Sequence, residues 1–140
     1  MLINGPESSL EIVMSEKVPD GLQCAGDARL VITVRVATAH AAFTGESPVW
    51  VDALALGNFV EQLEMLNETR DGSAILESLS PGGMRLEIRN TDRSGHLGAF
   101  GHIARRFVLG EQDSVINFGI PFCPTELARI IREFATISRE

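Results

Sequence analysis

The three histidines and two cysteines of this 140-residue chain are its most reactive side chains. His96 and His102 have the same parity in one strand candidate, so they would share a sheet face if no bulge intervenes. His40 or Cys123 could add a third ligand, but a metal site needs three or four ligands with supporting hydrogen bonds. Ordinary strand histidines, solvated or hydrogen-bonded, explain the pattern better. We therefore predict no metal and no cofactor.

Nucleophilic catalysis is the next chemistry to consider. Cys24 lies in a loop, whereas Cys123 lies at a helix start, where the dipole could lower the pKa of its thiol. A Cys123–histidine dyad is not visible in the sequence, and no Gly-x-Ser-x-Gly elbow occurs. The glycine-rich run from Gly95 to His102 is followed by more strand, not by the helix that a phosphate cradle needs. Its glycines indicate a bent strand that another backbone or side chain approaches closely. The chain is predicted not to be an enzyme.

Acidic side chains concentrate at one place, on or just beyond the outer face of a predicted helix. They are Glu61, Glu64, Glu68 and Asp71. A solvated helix face is the default explanation. The alternative is a docking surface for a basic partner, in which complementary charge speeds encounter and sets specificity. These four residues are our candidate protein-binding residues.

The helix within Trp50–Arg70 is the clearest element of the sequence. Asp52 is its predicted N-cap, with Ser47–Pro48 as an alternative start, and Asp71–Gly72 ends it. A helix with one apolar stripe needs a sheet face to bury that stripe. The stripe follows the spacing i, i+3, i+4 and i+7, at Leu56, Phe59, Val60 and Leu63.

Strand candidates lie on both sides of this helix. Arg29–Ala37 is the strongest, because its even-numbered residues are all apolar, and residues 15–28 are predicted to be a loop. A second helix begins at Cys123-Pro124. The links have hairpin length, which predicts an α+β fold: an antiparallel sheet of about six to seven strands, in the order β-β-β-α-β-β-β-β-α, with two helices packed on one face. The strands are predicted at 10–14, 29–37, 40–45, 73–79, 84–90, 96–108 and 114–121, with residues 46–48 interrupting the third strand before a last piece at 49–51.

Length and composition restrict the function. The chain is predicted to form a single domain over residues 1–140, with 44% hydrophobic residues for its core. A net charge of −7 disfavours nucleic acid, since phosphate binding needs clustered Lys and Arg, and it also disfavours an anionic membrane surface. Two isolated cysteines, no export signal and no apolar run near ~20 residues predict a cytoplasmic protein that does not enter the membrane.

Core positions across about residues 30–138 resemble those of a known protein family. They include Trp50-Val51 before a helix with Phe59 and Leu63, the 72–78 stretch, a strand with Leu86 and Ile88, Gly95-His96-Leu97, and Pro124-Thr125-Glu126-Leu127. In this pattern the chain resembles the WapI-type immunity proteins and their uncharacterised bacterial relatives. The resemblance implies a small cytoplasmic protein that binds and neutralises the toxic domain of a cognate toxin. It carries over no catalytic residue.

The sequence therefore predicts a non-catalytic protein-binding module, an immunity protein whose acidic surface occludes a basic toxin domain such as a nuclease. The alternative is a small-ligand-binding or enzymatic domain that uses His96, His102 and Cys123 around a cleft. A homodimer joined through an exposed sheet face is a third interpretation.

Overall fold

The computed structural model describes residues 1–105 and 114–139. In these residues, eight strands and two α-helices follow one another in the order β1 (Leu2–Asn4), β2 (Ser8–Lys17), β3 (Ala28–Ala37), β4 (Ala42–Val51), α1 (Ala53–Thr69), β5 (Ser73–Glu77), β6 (Met84–Asn90), β7 (Leu97–Arg105), β8 (Ser114–Phe122) and α2 (Leu127–Arg139). A single 3₁₀ turn, Pro124–Glu126, leads into α2.

The strands form two antiparallel sheets of four. Sheet A has the order β1-β2-β3-β4, and sheet B has the order β5-β6-β7-β8, so within each sheet the strands pair in chain order. The predicted α+β class with antiparallel pairing is confirmed. The prediction of one sheet of six to seven strands is wrong, because α1 separates two complete four-stranded meanders. The missed strand, β1, is only three residues long, and its single buried residue, Ile3, has no sequence periodicity to reveal it.

Both sheets and both helices contribute to one apolar core. The even-numbered residues of β3 up to Val34, among them Leu30 and Ile32, are buried as predicted, and Val36 is half-buried. The apolar stripe of α1 is buried too, and its Phe59 contacts Phe134 of α2 edge-to-face, with ring centroids 4.9 Å apart. Burying a side chain of this size contributes roughly 1.5–3 kcal/mol. This contact therefore ties the two helices together.

Helix α1 begins where the sequence predicts. The Asp52 carboxylate accepts a hydrogen bond from the Ala55 N–H at 2.6 Å, and Asp52 has extended backbone dihedrals, which makes it the N-cap. Asp27, which is buried, accepts from the Ala53 N–H at 2.9 Å. Two of the free N–H groups at this helix end are therefore satisfied. The helix ends at Arg70, whose left-handed backbone brings its N–H to the Leu66 carbonyl.

Some predicted boundaries change. Strand β4 runs unbroken through Pro48, which causes no loss because β4 is an edge strand of sheet A. The predicted loop 15–28 is shorter, since β2 extends to Lys17 beyond a register shift between Met14 and Glu16, and β3 begins at Ala28. The last part of the predicted 96–108 strand, residues 106–108, lies outside the described residues.

The edge of sheet B is covered at one point. Strand β5 lies beside α1, and the Gln62 side-chain oxygen of α1 accepts a hydrogen bond from the Ile75 N–H of β5 at 2.9 Å. In an antiparallel pair, an N–H that does not point at the neighbouring strand points away from the sheet. Gln62 therefore occupies a position that a further strand would otherwise take.

Candidate functional site

The outer face of sheet B carries a row of charged side chains. Arg85, Glu87 and Arg89 alternate along β6 and so share one face. Arg85 Nη1 lies 2.9 Å from Glu87 Oε2, and Arg89 Nε lies 3.5 Å from Glu87 Oε1. Glu77 on β5 adds a longer contact, 3.7 Å from its Oε1 to Arg85 Nε. We call these four residues the charged row. It holds two cations and two anions, so its net charge is close to zero.

An aromatic ring lies beside the charged row. Phe100 of β7 is the cross-strand partner of Glu87 and points to the same face. Arg89 Cζ lies 4.0 Å from the centre of the Phe100 ring. A guanidinium over a ring at an exposed site is stabilised by about 0.5–1 kcal/mol. We call this pair the Phe100–Arg89 stack.

Two glycines lie beneath the ring of Phe100. A Cβ atom on Gly98 would lie 2.7 Å from the ring atoms Cε2 and Cζ, and one on Gly119 would lie 3.2 Å from Cδ1. Gly119 faces Phe100 across the β7–β8 pair. Because neither position has a side chain, the ring can lie down over the sheet.

The rest of this face is mixed, with exposed Val115 on β8 and polar side chains nearer to Phe100. His102 of β7 faces Asn117 of β8, and the Nε2 atom of His102 lies 3.2 Å from the Gly82 carbonyl oxygen. The whole face thus offers a planar cation over an aromatic ring, with hydrogen-bond donors and acceptors beside it. A surface of this kind suits planar groups that have hydrogen-bonding edges.

The four predicted acidic residues lie elsewhere. Glu61, Glu64 and Glu68 are exposed on α1, and Asp71 is exposed just after it. None of the four belongs to the outer face of sheet B. Their contact with a protein partner stays a prediction.

The structure brings together two of the three residues of the alternative interpretation. His96 and Cys123 line a cavity of about 630 Å³ where the ends of the two sheets meet. His96 Nδ1 lies 2.7 Å from Asp92 Oδ2, a hydrogen bond that lowers the pKa of Asp92. A hydrogen bond with the Thr125 hydroxyl, at 3.1 Å, lowers the pKa of Cys123. His102 lies outside this cavity, so the predicted cleft of three residues does not exist.

The third histidine is also isolated. His40 is exposed in the turn between β3 and β4. Within residues 1–105 and 114–139, no three His, Cys, Asp or Glu side chains are placed to hold a metal ion. Neither helix of that part of the chain is long and apolar enough to cross a membrane.

Sequence reasoning missed the Phe100–Arg89 stack. The local signal was the Gly98-x-Phe100 spacing, in which a strand residue two positions from an aromatic residue has no side chain. The expectation that a backbone or side chain approaches these glycines closely is confirmed by Phe100 at Gly98 and by the Arg85 carbonyl at Gly101. The partnership with Gly119 depends on the β7–β8 register, which the sequence does not specify.

In its architecture, two four-stranded antiparallel sheets with two helices, the chain is similar to the Whirly proteins. The structure of the plant transcriptional regulator PBF-2 matches with a TM-score of 0.58 and 14% identity, over 99% of this chain and 86% of that one. WHY1 from Arabidopsis thaliana matches with a TM-score of 0.56 and 15% identity, over 99% and 87% of the two chains. WHY3 from the same plant gives 0.52 and 17%, over 99% and 85%. No protein-family profile matches the sequence, and a search of curated proteins finds no match.

These similarities correct the sequence-based function. The resemblance to WapI-type immunity proteins is wrong, and so are the predicted toxin-neutralising function and basic toxin partner, because the fold is that of PBF-2, WHY1 and WHY3. The resemblance rested on core positions, which many α+β domains share. The exclusion of nucleic acid is wrong as well, since the fold is one that a transcriptional regulator uses. The small-ligand or enzymatic alternative has no support, and the prediction of a non-enzyme agrees with that regulator's role.

Proposed function

We propose that this chain is a nucleic-acid-binding regulatory protein that holds single-stranded nucleic acid on the outer face of sheet B. The observation that carries the proposal is the Phe100–Arg89 stack, with the ring centre 4.0 Å from the guanidinium carbon. Bases stack on aromatic rings and on guanidinium planes, at a gain of about 1–3 kcal/mol per base. The fold shared with the transcriptional regulator PBF-2 supports the same function.

A single strand fits this surface better than a duplex does. Stacking on a sheet face requires bases that are free of their own neighbours. Reading a duplex requires a helix or ribbon that enters a groove with a cationic surface. The outer side of α1 is acidic, and in α2 the Arg129 guanidinium is already bound by Glu126 and Glu133, at 2.7 and 3.2 Å.

The net charge of −7 is compatible with this proposal, because the contacts involve bases more than phosphates. The charged row is close to neutral, so it attracts a phosphate backbone only weakly. With about two phosphates contacted, the slope of log K against log salt is about −1.4, and affinity falls roughly sevenfold for a ~fourfold rise in salt. Whole-chain charge therefore predicts a weak salt dependence but does not exclude binding.

The test is a titration of fluorescently labelled single-stranded and duplex DNA, monitored by anisotropy at low salt. We expect the unmodified chain to bind the single strand more tightly than the duplex. Phe100→Ala removes the ring that supports the Arg89 guanidinium, so it should weaken single-strand binding roughly 5- to 150-fold, the equivalent of about 1–3 kcal/mol.

Phe43→Ala is the matched control. Phe43 is an exposed phenylalanine on β4 of sheet A, with 63% of its surface accessible. Its removal should leave the affinity unchanged. Equal losses in both variants, or full affinity in Phe100→Ala, would refute the proposed interface.

The cellular location is part of this proposal. Cys24 and Cys123 are both free and exposed, which suits a reducing compartment. We place the protein in the cytoplasm, where single-stranded nucleic acid is available to it.

A further inference from the structure

We propose that Arg85 and Glu87 together recognise the Watson–Crick edge of a guanine whose ring stacks on Arg89. This inference rests on the proposed function, because it requires a base on the Phe100–Arg89 stack. It adds what that function lacks, which is a preference among the four bases.

The pair presents a donor and an acceptor side by side. Arg85 Nη1 lies 2.9 Å from Glu87 Oε2, so the guanidinium and the carboxylate lie next to each other on one face. The Glu87 side chain is 19% exposed and that of Arg85 is 39% exposed, so both are partly covered but can be reached. Both are held in place by neighbours, which lowers the entropy lost when a ligand binds.

Both groups have hydrogen-bonding capacity left. An ionised carboxylate has about four lone-pair sites, and Glu87 uses them for one contact to Arg85 and one, at 3.5 Å, to Arg89. A guanidinium has about five N–H donors. Among the described residues, Arg85 directs Nη1 at Glu87 and Nε towards Glu77, which leaves Nη2 for a ligand.

Guanine matches this arrangement because its edge places the O6 acceptor next to the N1–H and N2–H donors. Arg85 would donate to O6 while Glu87 accepts from N1–H and N2–H. Thymine and uracil share the first half of this pattern, but they turn the O2 oxygen towards the carboxylate, which is repulsive. Adenine and cytosine each carry an acceptor in the middle of the edge, where guanine has N1–H, so they cannot satisfy Glu87 in the same way.

Arg85 and Glu87 also lie within reach of a base on the Phe100–Arg89 stack. Glu87 is the cross-strand partner of Phe100, and Arg89 is two residues further along β6. Residues i and i+2 of a strand lie about 6.6–6.8 Å apart, which is close to the width of a base. A base that stacks on Arg89 can therefore extend its edge to Glu87 and Arg85.

The experiment uses thymidine tracts with one central guanine, inosine, adenine or cytosine, titrated by anisotropy. Inosine is guanine without the N2 amine, so it tests the contact to Glu87 directly. We expect guanine to bind roughly tenfold more tightly than inosine, as the loss of part of a bidentate contact predicts. Glu87→Gln should remove this preference. Glu61→Gln, which neutralises an exposed carboxylate on α1 away from this face, should keep it.

The outcomes separate this inference from the proposed function. Equal affinity for all four strands, or an unchanged preference in Glu87→Gln, would overturn guanine recognition, while a loss in Phe100→Ala would still support the interface. A uniform rise in affinity in Glu87→Gln would mean that Glu87 only competes with the strand for the arginines, which also overturns the inference. If no strand binds, both proposals fail. Circular dichroism of each variant shows whether it folds.

Discussion

Replacing Gly98 by alanine should displace the Phe100 ring. The new methyl group would lie 2.7 Å from two ring carbons and 3.0 Å from Cγ2 of Thr91. The optimal separation of two non-bonded carbon atoms is about 3.5–4.0 Å, so the ring has to move by roughly 1 Å. A ring at the surface can move, whereas the strand beneath it is fixed by pairing on both sides. The ring therefore lifts and loses its contact with Arg89.

The energies can be estimated from these contacts. Inserting a methyl group into a packed site costs about 1–3 kcal/mol. Alanine in place of glycine in a strand regains roughly 0.5–1 kcal/mol by reducing the entropy of the unfolded chain. The net loss in the free energy of unfolding should therefore be ~0–2.5 kcal/mol, and the lost cation–π contact is worth about 0.5–1 kcal/mol. Binding of single-stranded DNA should weaken in parallel.

Urea denaturation, followed by the fluorescence of the single tryptophan, Trp50, measures the change in stability. Gly119→Ala is the control, because its methyl group would lie 3.2 Å from the ring and require a shift of only a few tenths of an ångström. In a Phe100→Ala background, Gly98→Ala should cost clearly less, since the clash with the ring has been removed and only the 3.0 Å contact with Thr91 remains. An equal cost in both backgrounds would refute the reasoning.

Three further predictions follow from single contacts. Gly101→Ala should abolish stable folding, because Gly101 has a φ of 154° and a Cβ atom there would overlap a carbonyl group of β6. Thermal denaturation measures this, and a variant as stable as the parent would contradict the prediction. The pKa of Asp92 is lowered because His96 hydrogen-bonds to its carboxylate. The contribution of this carboxylate to stability is therefore complete above its usual pKa of 3.8 and is lost as the pH falls through its lower pKa in the folded chain. Asp92→Asn should flatten this part of the curve of urea midpoint against pH. Thr125→Ala should slow alkylation of Cys123 by iodoacetamide near neutral pH, because the thiol loses the hydrogen bond that lowers its pKa; mass spectrometry measures the rate, and an unchanged rate would remove Thr125 from the explanation.

The elements that were predictable from sequence are those whose pattern is local. Asp52 precedes the first apolar turn of α1, and a cap needs only residues within that turn. The alternation in β3 and β6 also follows from neighbouring residues, because one face of each strand meets the core. The class of fold followed from these elements and their short links.

The elements that sequence reasoning missed depend on distant residues. The division into two sheets is decided by which strands pair, and β4 and β5 have the helix between them and do not pair. The Phe100–Arg89 stack requires that Gly119, on another strand, fall opposite Phe100. Net charge failed for a related reason. The net charge averages the acidic face of α1 with the nearly neutral outer face of sheet B, and only the latter belongs to the proposed interface.

The hydrogen bond from Ile75 to Gln62 has a consequence for how the chain behaves at high concentration. A bare strand at a sheet margin can recruit the same strand from another molecule and seed cross-β growth. Here the Gln62 side chain accepts the hydrogen bond that a neighbouring strand would accept from Ile75, and it provides no backbone to which a further strand could pair. Strand β5 is therefore less able to template a second copy of itself, because one of its outward backbone groups is already paired.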